Sequence, residues 1–420
     1  MNKWGKWATG LWAAGLAICP SALLANENDI FGYLQFNIDR TYRNPNPNAA
    51  TGQITRDRPD PVDYRVLRLN LMVRSTWDQG FTTFLNLSES SNASSGSSPT
   101  FIVRNAWGEL PLPLSLGYLR VGKIYRPFSP YNERLDAVPT YLGVEPPEIF
   151  DTDHLFMSRF CDVMVHNSAN LGPTFWSFAM TTNNPESRLK NGNGDSMGSF
   201  PLGWDVKMEM GNHKFMLGHS GFLSGPTGPA TALGSSATGG ITPPEGGVAP
   251  WMKSDNYSAW GLFSEWNPGN WQFEGGVFEA HHRAVRNATA VNNMITNAGL
   301  LPDQLARYQA APGGNVVYNI KTYYLRAGYS IFTKAGEFVP YAFWDAYKNP
   351  EIIGLKAFGG DDEAGNFDGG KFTKDTVGLA YRPNPNVAIK VDHSFHFFKL
   401  LGRKTDYHEY RIDLSYFFGV

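Results

Sequence analysis

Tyr407-His408-Glu409-Tyr410-Arg411-Ile412-Asp413-Leu414-Ser415-Tyr416-Phe417-Phe418-Gly419-Val420 closes the chain with a period of two. Tyr410, Ile412, Leu414, Tyr416 and Phe418 share one parity, with Arg411, Asp413, Ser415 and Phe417 between them. Successive side chains of a strand point to opposite faces, so one face is apolar and aromatic and the other largely polar. A single strand of this kind fits a β-sandwich or a barrel. The rest of the chain decides.

Lys3 and Lys6 precede a mostly apolar run over 8–18, and small residues follow to Ala25. The run is too short to span a bilayer, so 1–25 reads as a cleaved secretory signal peptide and 26–420 as the mature domain. Ile18 before Cys19 is a poor match to a lipidation site. Of 36 basic and 38 acidic residues the leader removes Lys3 and Lys6, leaving 34 against 38, a charge of −4. Nucleic acid is therefore not an expected partner. Cys161 is the one cysteine of the mature chain, so no intramolecular disulfide is expected, and no Cys-x-x-Cys-His occurs to attach haem. Aromatics make up 14% of residues and charged residues only 18%, with 44 glycines, a composition suited to alternating strands.

Strands are predicted near 30–40, 64–75, 80–89, 100–110, 116–123, 162–168, 173–182, 203–211, 213–223, 256–267, 270–282, 318–331, 336–347, 373–382, 386–398 and 407–418. Short connections rich in Pro, Gly and Asn alternate with long ones at 41–63, 90–99, 124–161, 183–202, 224–255, 283–317, 348–372 and 399–406. Short turns at one end and long loops at the other describe an all-β, transmembrane, antiparallel up-and-down barrel of about 16 strands in a bacterial outer membrane. Its environment is then outer-membrane lipid and lipopolysaccharide. No fixed-period repeat points to a propeller or β-helix.

A charge facing lipid at mid-bilayer costs about 2–4 kcal/mol. Parity therefore places Arg68, Arg74, Arg104, Arg120, Lys390, Asp392, Arg411 and Asp413 on the inner, pore-lining face. His393 falls on the apolar face, which a subunit contact or a bulge would excuse. Trp260, Trp266, Trp271, Tyr407 and Phe418 lie near strand ends, where interfacial aromatic girdles form. The loop 124–161 holds Pro127, Pro130, Pro139, Pro146 and Pro147, which rule out a central strand. Folded inward, it would set Glu133, Asp136, Glu145 and Glu148, with Arg126 and Arg134, against the arginines of the wall as a constriction.

Val103-Arg104-Asn105-Ala106-Trp107-Gly108-Glu109-Leu110, a turn, Leu119-Arg120-Val121-Gly122-Lys123 and then Pro127-Phe128 resemble the strand-turn-strand of the phosphate-selective porin family. The closing strand likewise resembles that of outer-membrane barrels, with Tyr416 and Phe418 similar to the terminal aromatic signal read during assembly. The resemblance implies a homotrimeric channel for small polar solutes or ions, with no cofactor and no catalysis. The acid-rich loop lacks a lysine cluster, so phosphate selectivity is not carried over.

Two other classes compete. A barrel can sheathe a multihaem cytochrome as an electron conduit, needing no haem motif of its own. Gly218-His219-Ser220-Gly221 suggests a lipid hydrolase, but neighbouring residues of a strand diverge and cannot pair as base and nucleophile. His281-His282 diverge for the same reason. Asp361-Asp362-Glu363, with Asp368, lacks calcium-loop spacing and reads as a solvated surface turn.

Overall fold

The computed structural model describes residues 27–42, 45–48, 53–56, 62–77, 80–91, 100–134, 142–150, 160–183, 201–227, 248–355, 358–361 and 363–419. The predicted signal peptide, Asp136 and most of the tract 224–250 lie outside the described residues, as do the side chains of Arg68 and Arg134.

Sixteen strands form the wall. They are β1 (Glu27–Tyr42), β2 (Asp63–Thr76), β3 (Thr82–Ser91), β4 (Thr100–Pro111), β5 (Tyr118–Tyr125), β6 (Phe160–Leu171), β7 (Thr174–Thr182) and β8 (Leu202–Met210), followed by β9 (Phe215–Thr227), β10 (Met252–Trp266), β11 (Trp271–Arg286), β12 (Asn315–Tyr329), β13 (Gly336–Lys348), β14 (Lys371–Asn384), β15 (Val387–Leu400) and β16 (Arg403–Gly419). Ile331–Thr333 continues β12 and pairs with the start of β13. Each strand pairs antiparallel with its neighbours in sequence, and β16 returns to β1 from Phe31↔Gly419 to Tyr42↔His408. The closing strand thus leaves no open edge, which a bilayer does not tolerate. No described helix is long and apolar enough to cross a membrane.

The apolar face is the outer one. Tyr410, Ile412, Leu414 and Tyr416 are exposed, while Asp413 and Ser415 between them are buried. Leu325, Leu262, Val377, Val391 and Met180 repeat this inverted pattern around the ring. Residues 410–418 rise about 3.4 Å each and, tilted near 40°, cover roughly 20–25 Å, the height of the expected lipid-facing band. His393 sits at the upper edge of that band with no register shift beside it, so the bulge explanation fails. Its ring stacks on Tyr410 at 4.0 Å and its Nε2 lies 3.4 Å from Nδ1 of His408.

Tight turns lie at the rim where β1 begins and β16 ends, the long connections at the other. The final connection departs from the expected long loop over 399–406. Leu400 pairs with Arg403, and Leu401 and Gly402 form a two-residue turn at φ 51° and 76°. Positive φ at both central positions is the type I′ hairpin turn, a role suited to Gly402. The charges of Lys399, Arg403 and Lys404, which read as loop, sit on strands extended beyond the lipid band.

Two long connections fold back over the β10–β16 side. The connection after β11 forms α2 (Ala288–Asn297) and α3 (Pro302–Ala310) rather than further strands. Asn287 caps α2 by accepting from the amides of Thr289 and Ala290. Val291, Met294, Leu301 and Tyr308 pack with Trp251, Ile352, Ile353 and Phe367 against Tyr347, Phe372 and Phe398 of the wall. The buried Arg286 donates to both oxygens of Glu351, at 2.8 and 2.9 Å, and the Tyr308 hydroxyl donates to the Glu351 carbonyl at 3.1 Å. Burial, with Glu351 nearby, pushes the Tyr308 phenol well above its ordinary pKa.

Candidate functional site: a loop anchored across the barrel interior

The segment after β5 runs inward. Arg126 begins it, fully buried, with its guanidinium donating to Thr181 Oγ1 at 2.6 Å, the Phe160 carbonyl at 2.8 Å and Asn183 Oδ1 at 2.5 Å. The same group stacks over Phe222 at 4.2 Å. Arg126 is therefore the foot of the loop, holding it to β7 and β9. Ser129, at φ 62°, redirects the chain into the short helix α1 (Ser129–Arg134). The Ser129 amide donates to Ser220 Oγ at 2.9 Å, Glu133 takes Lys207 at 2.9 Å, and the Tyr131 hydroxyl donates to Glu274.

The segment 142–150 lands on the opposite wall, about half the ring away. Arg326 of β12 donates to the carbonyls of Leu142 at 3.2 Å and Glu145 at 3.0 Å. Lys390 donates to the Gly143 carbonyl at 2.9 Å, and the Val144 amide donates to Asp392 at 2.8 Å. Lys374 of β14 bridges Glu145 at 2.8 Å and Glu148 at 2.5 Å. Arg411 pairs with Glu145 and, at 2.9 Å, with Glu409. Lys374 is 5% exposed and Glu148 2%, so this is a desolvated ion cluster rather than a rim contact.

Lys390, Asp392 and Arg411 thus converge on the loop. Asp413 supports them one step away, accepting from Gln35 at 2.6 Å and from Ser415. Among the described residues, the loop acids Glu133, Glu145 and Glu148 touch cations of the wall instead of facing them across a gap. Arg74, Arg104 and Arg120 lie on other strands, β2, β4 and β5, and Arg104 is the residue passed over where the β3–β4 register shifts from Asn86↔Asn105 to Leu87↔Val103. Arg120 lies 2.6 Å from Glu109, which also takes His166 at 2.8 Å, and stacks over Trp107 at 3.8 Å. Arg74 is exposed, and Arg104 is half-buried with its Nε lacking a hydrogen-bond partner. The side chains of Arg68 and Arg134, and all of Asp136, are not described. Tyr416 faces outward, and Phe418 pairs with Gly32 where β16 meets β1.

Sequence reasoning missed Arg326, Lys374 and Glu409. Each stands at the inward parity of its strand, between outward Leu325, Asp375 or Tyr410 and its partners, so the same alternation would have found them. The hydrolase pair is split as parity requires: Ser220 points inward and donates to Asp205 at 2.5 Å, while His219 accepts from Trp204 Nε1 at 3.3 Å. Asp361 is no solvated turn residue. It is fully buried and accepts from the amides of Glu363 and Ala364, both at 2.8 Å.

No family model and no curated protein matches this chain significantly. Solved structures do. The chain is similar to an anion-selective porin from Comamonas acidovorans (14% identity, TM-score 0.54, covering 93% of this chain and 99% of that one). It is also similar to the outer membrane channel DcaP of Acinetobacter baumannii (10%, 0.52, 93% and 97%) and to Salmonella typhi OmpF in complex with daunomycin (12%, 0.52, 94% and 98%). At such identities the likeness speaks to fold: an up-and-down transmembrane barrel.

Proposed function

We propose that this chain is an outer-membrane porin, a water-filled channel through which small hydrophilic solutes diffuse without chemistry. The observation that carries the reading is a closed barrel, apolar outside, whose charged interior is crossed by one anchored loop. Channel proteins of the same fold, an anion-selective porin among them, agree with it. In this reading 126–150 narrows the lumen. Its landing side, β12–β16, is closed by buried pairs, so the water path runs along β2–β5, where Arg74, Arg104 and Arg120 retain contact with solvent.

Function follows from rigidity. A loop tied by desolvated ion pairs holds a constant aperture, which sorts solutes by size at no energetic expense per passage. Phosphate selectivity is not part of the proposal, because Lys374 and Lys390 are engaged by Glu145, Glu148 and the Gly143 carbonyl. A cytochrome in the lumen would have to displace the anchored loop, which disfavours the conduit. We further propose a homotrimer exported through the periplasm, with Tyr416 and Phe418 as its assembly signal.

Single-channel recording in a planar bilayer tests the proposal. Stepwise conductance from the folded protein, with a reversal potential reporting ion preference in a salt gradient, is the expected result. A folded, inserted barrel that conducts nothing, or one that co-purifies with stoichiometric haem, overturns it.

A further inference from the structure

The loop acid Glu363 reaches the wall beside two residues the channel reading leaves unused. His396 of β15 is fully buried, stacked on Tyr407 with ring centroids 4.1 Å apart. Its Nε2 lies 2.9 Å from Glu409 Oε2. An ionised carboxylate only accepts, so Nε2 carries the proton of the neutral ring and Nδ1 presents a lone pair. That Nδ1 has no hydrogen-bond partner, yet it lies 3.3 Å from Glu363 Oε1. With the ring neutral, two electron-rich atoms face each other beside a fully buried imidazole.

The separation decides what belongs between them. A charge-assisted N–H···O bond spans about 2.7–2.9 Å. Adjacent ligands on a tetrahedral ion with bonds of about 2.0–2.1 Å stand roughly 3.3 Å apart. One ligand atom from each of Glu363, His396 and Glu409 falls within 4.8 Å of the others. A histidine held through its second nitrogen by a carboxylate is the usual arrangement around a bound metal, because it fixes tautomer and ring orientation. Tyr407 supports Glu363 in the same way, its hydroxyl donating to Oε1 at 2.7 Å. The cations facing the cluster, Lys374 and Arg411, are occupied with Glu145, Glu148 and Glu409.

We propose that Glu363, His396 and Glu409 form a site for a divalent transition-metal ion of the zinc class, with Glu363 and His396 Nδ1 as ligands and Glu409 positioning the ring. Imidazole with carboxylate selects such an ion over calcium or magnesium, which prefer oxygen alone. The bound ion ties the connection between β13 and β14 to β15. Through Arg411 it adjoins Glu145 of the inward loop.

The test uses the full-length protein without a histidine tag, folded in detergent micelles, stripped with chelator and titrated with zinc by calorimetry. One saturable zinc per chain is expected, lost in His396→Gln and in Glu363→Gln and weakened about 10–100-fold in Glu409→Gln. Glu363→Gln keeps an acceptor for Tyr407 on a connecting segment, so it serves if the wall variants do not fold. His213→Gln controls for the exposed His213–Glu209 pair and should leave the tight zinc in place. X-ray absorption at the zinc edge should show histidine scattering that vanishes in His396→Gln. Absence of saturable uptake, or uptake unchanged in Glu363→Gln and His396→Gln, overturns the site; the first of these means that a proton occupies the gap. Zinc binding is read directly, so its failure and the failure of conductance are separate results.

Discussion

Lys374→Met removes the cation shared by Glu145 and Glu148. Deleting one partner of a buried ion pair costs about 3–5 kcal/mol, because the other charge stays desolvated. The burden falls on Glu148, since Glu145 keeps Arg411. Against it stand the charged ties of 142–145: Arg326 to two carbonyls, Lys390 to Gly143 and Val144 to Asp392. At about 1.5–3 kcal/mol for each such bond, these together exceed the loss. The loop is therefore expected to stay docked at 142–145 and to open locally at 148–150. The Phe150 amide, which donates to the Pro147 carbonyl at 2.8 Å, reports that opening.

One decade per 1.36 kcal/mol turns the loss into faster exchange of the Phe150 amide by two to nearly four orders of magnitude, with the Val144 amide much less affected. Hydrogen exchange in micelles measures both. Adding Glu148→Gln to Lys374→Met removes the buried charge that Lys374 had countered and should return Phe150 most of the way to wild type. Exchange at Phe150 within tenfold of wild type in the single variant, or a double variant as labile as the single one, would refute the claim that a desolvated pair holds this segment.

Leu414→Arg places a charge on the lipid face between Phe36 and Ile389, and should destabilise the barrel by about 2–4 kcal/mol in equilibrium unfolding from lipid. Truncation of 417–420 deletes the pairing of Phe417, Phe418 and Gly419 with β1 and should abolish insertion, read by fractionation and heat-modifiable migration. The Tyr308 phenol, raised first by burial and then by Glu351, keeps its proton in the folded state after an unfolded chain releases it. Its contribution is complete below pH ~10 and is lost as pH rises beyond that value. Amide exchange across Pro302–Ala310 should accelerate above pH ~10 more steeply in wild type than in Tyr308→Phe.

Strand positions were legible because lipid outside and charge inside impose a period of two that needs no knowledge of partners. Leu414 and Asp413 could be assigned to opposite faces from their neighbours alone. The final connection was misjudged for a related reason. Lys399, Arg403 and Lys404 look like loop to a reading that equates charge with irregular structure, but strands that rise beyond the lipid band carry charge on the outer face, as at the paired Lys399 and Lys404, as well as on the inner face, where Arg403 pairs with Leu400. The buried Asp361 was read as solvated because its acceptors are spent on backbone amides two and three residues on, a cap that composition alone does not reveal.

The partners of the inward loop were harder, since Lys374 and Glu148 are 226 residues apart in the chain and Lys390 and Gly143 are 247. Local pattern does not encode such distances, but closure does. In a ring of sixteen strands a loop that leaves β5 and crosses the interior must land about eight strands away, near β13. The inward cations within reach of that point are Arg326 on β12, Lys374 on β14 and Lys390 on β15, and these three receive 142–148. Ring geometry combined with side-chain parity therefore selects the landing site. Glu145 and Glu148 then meet Lys374 and Arg411 in contact, which fixes 142–148 to the wall and, in the channel reading proposed above, leaves β2–β5 as the side where solvent-facing charge meets a solute.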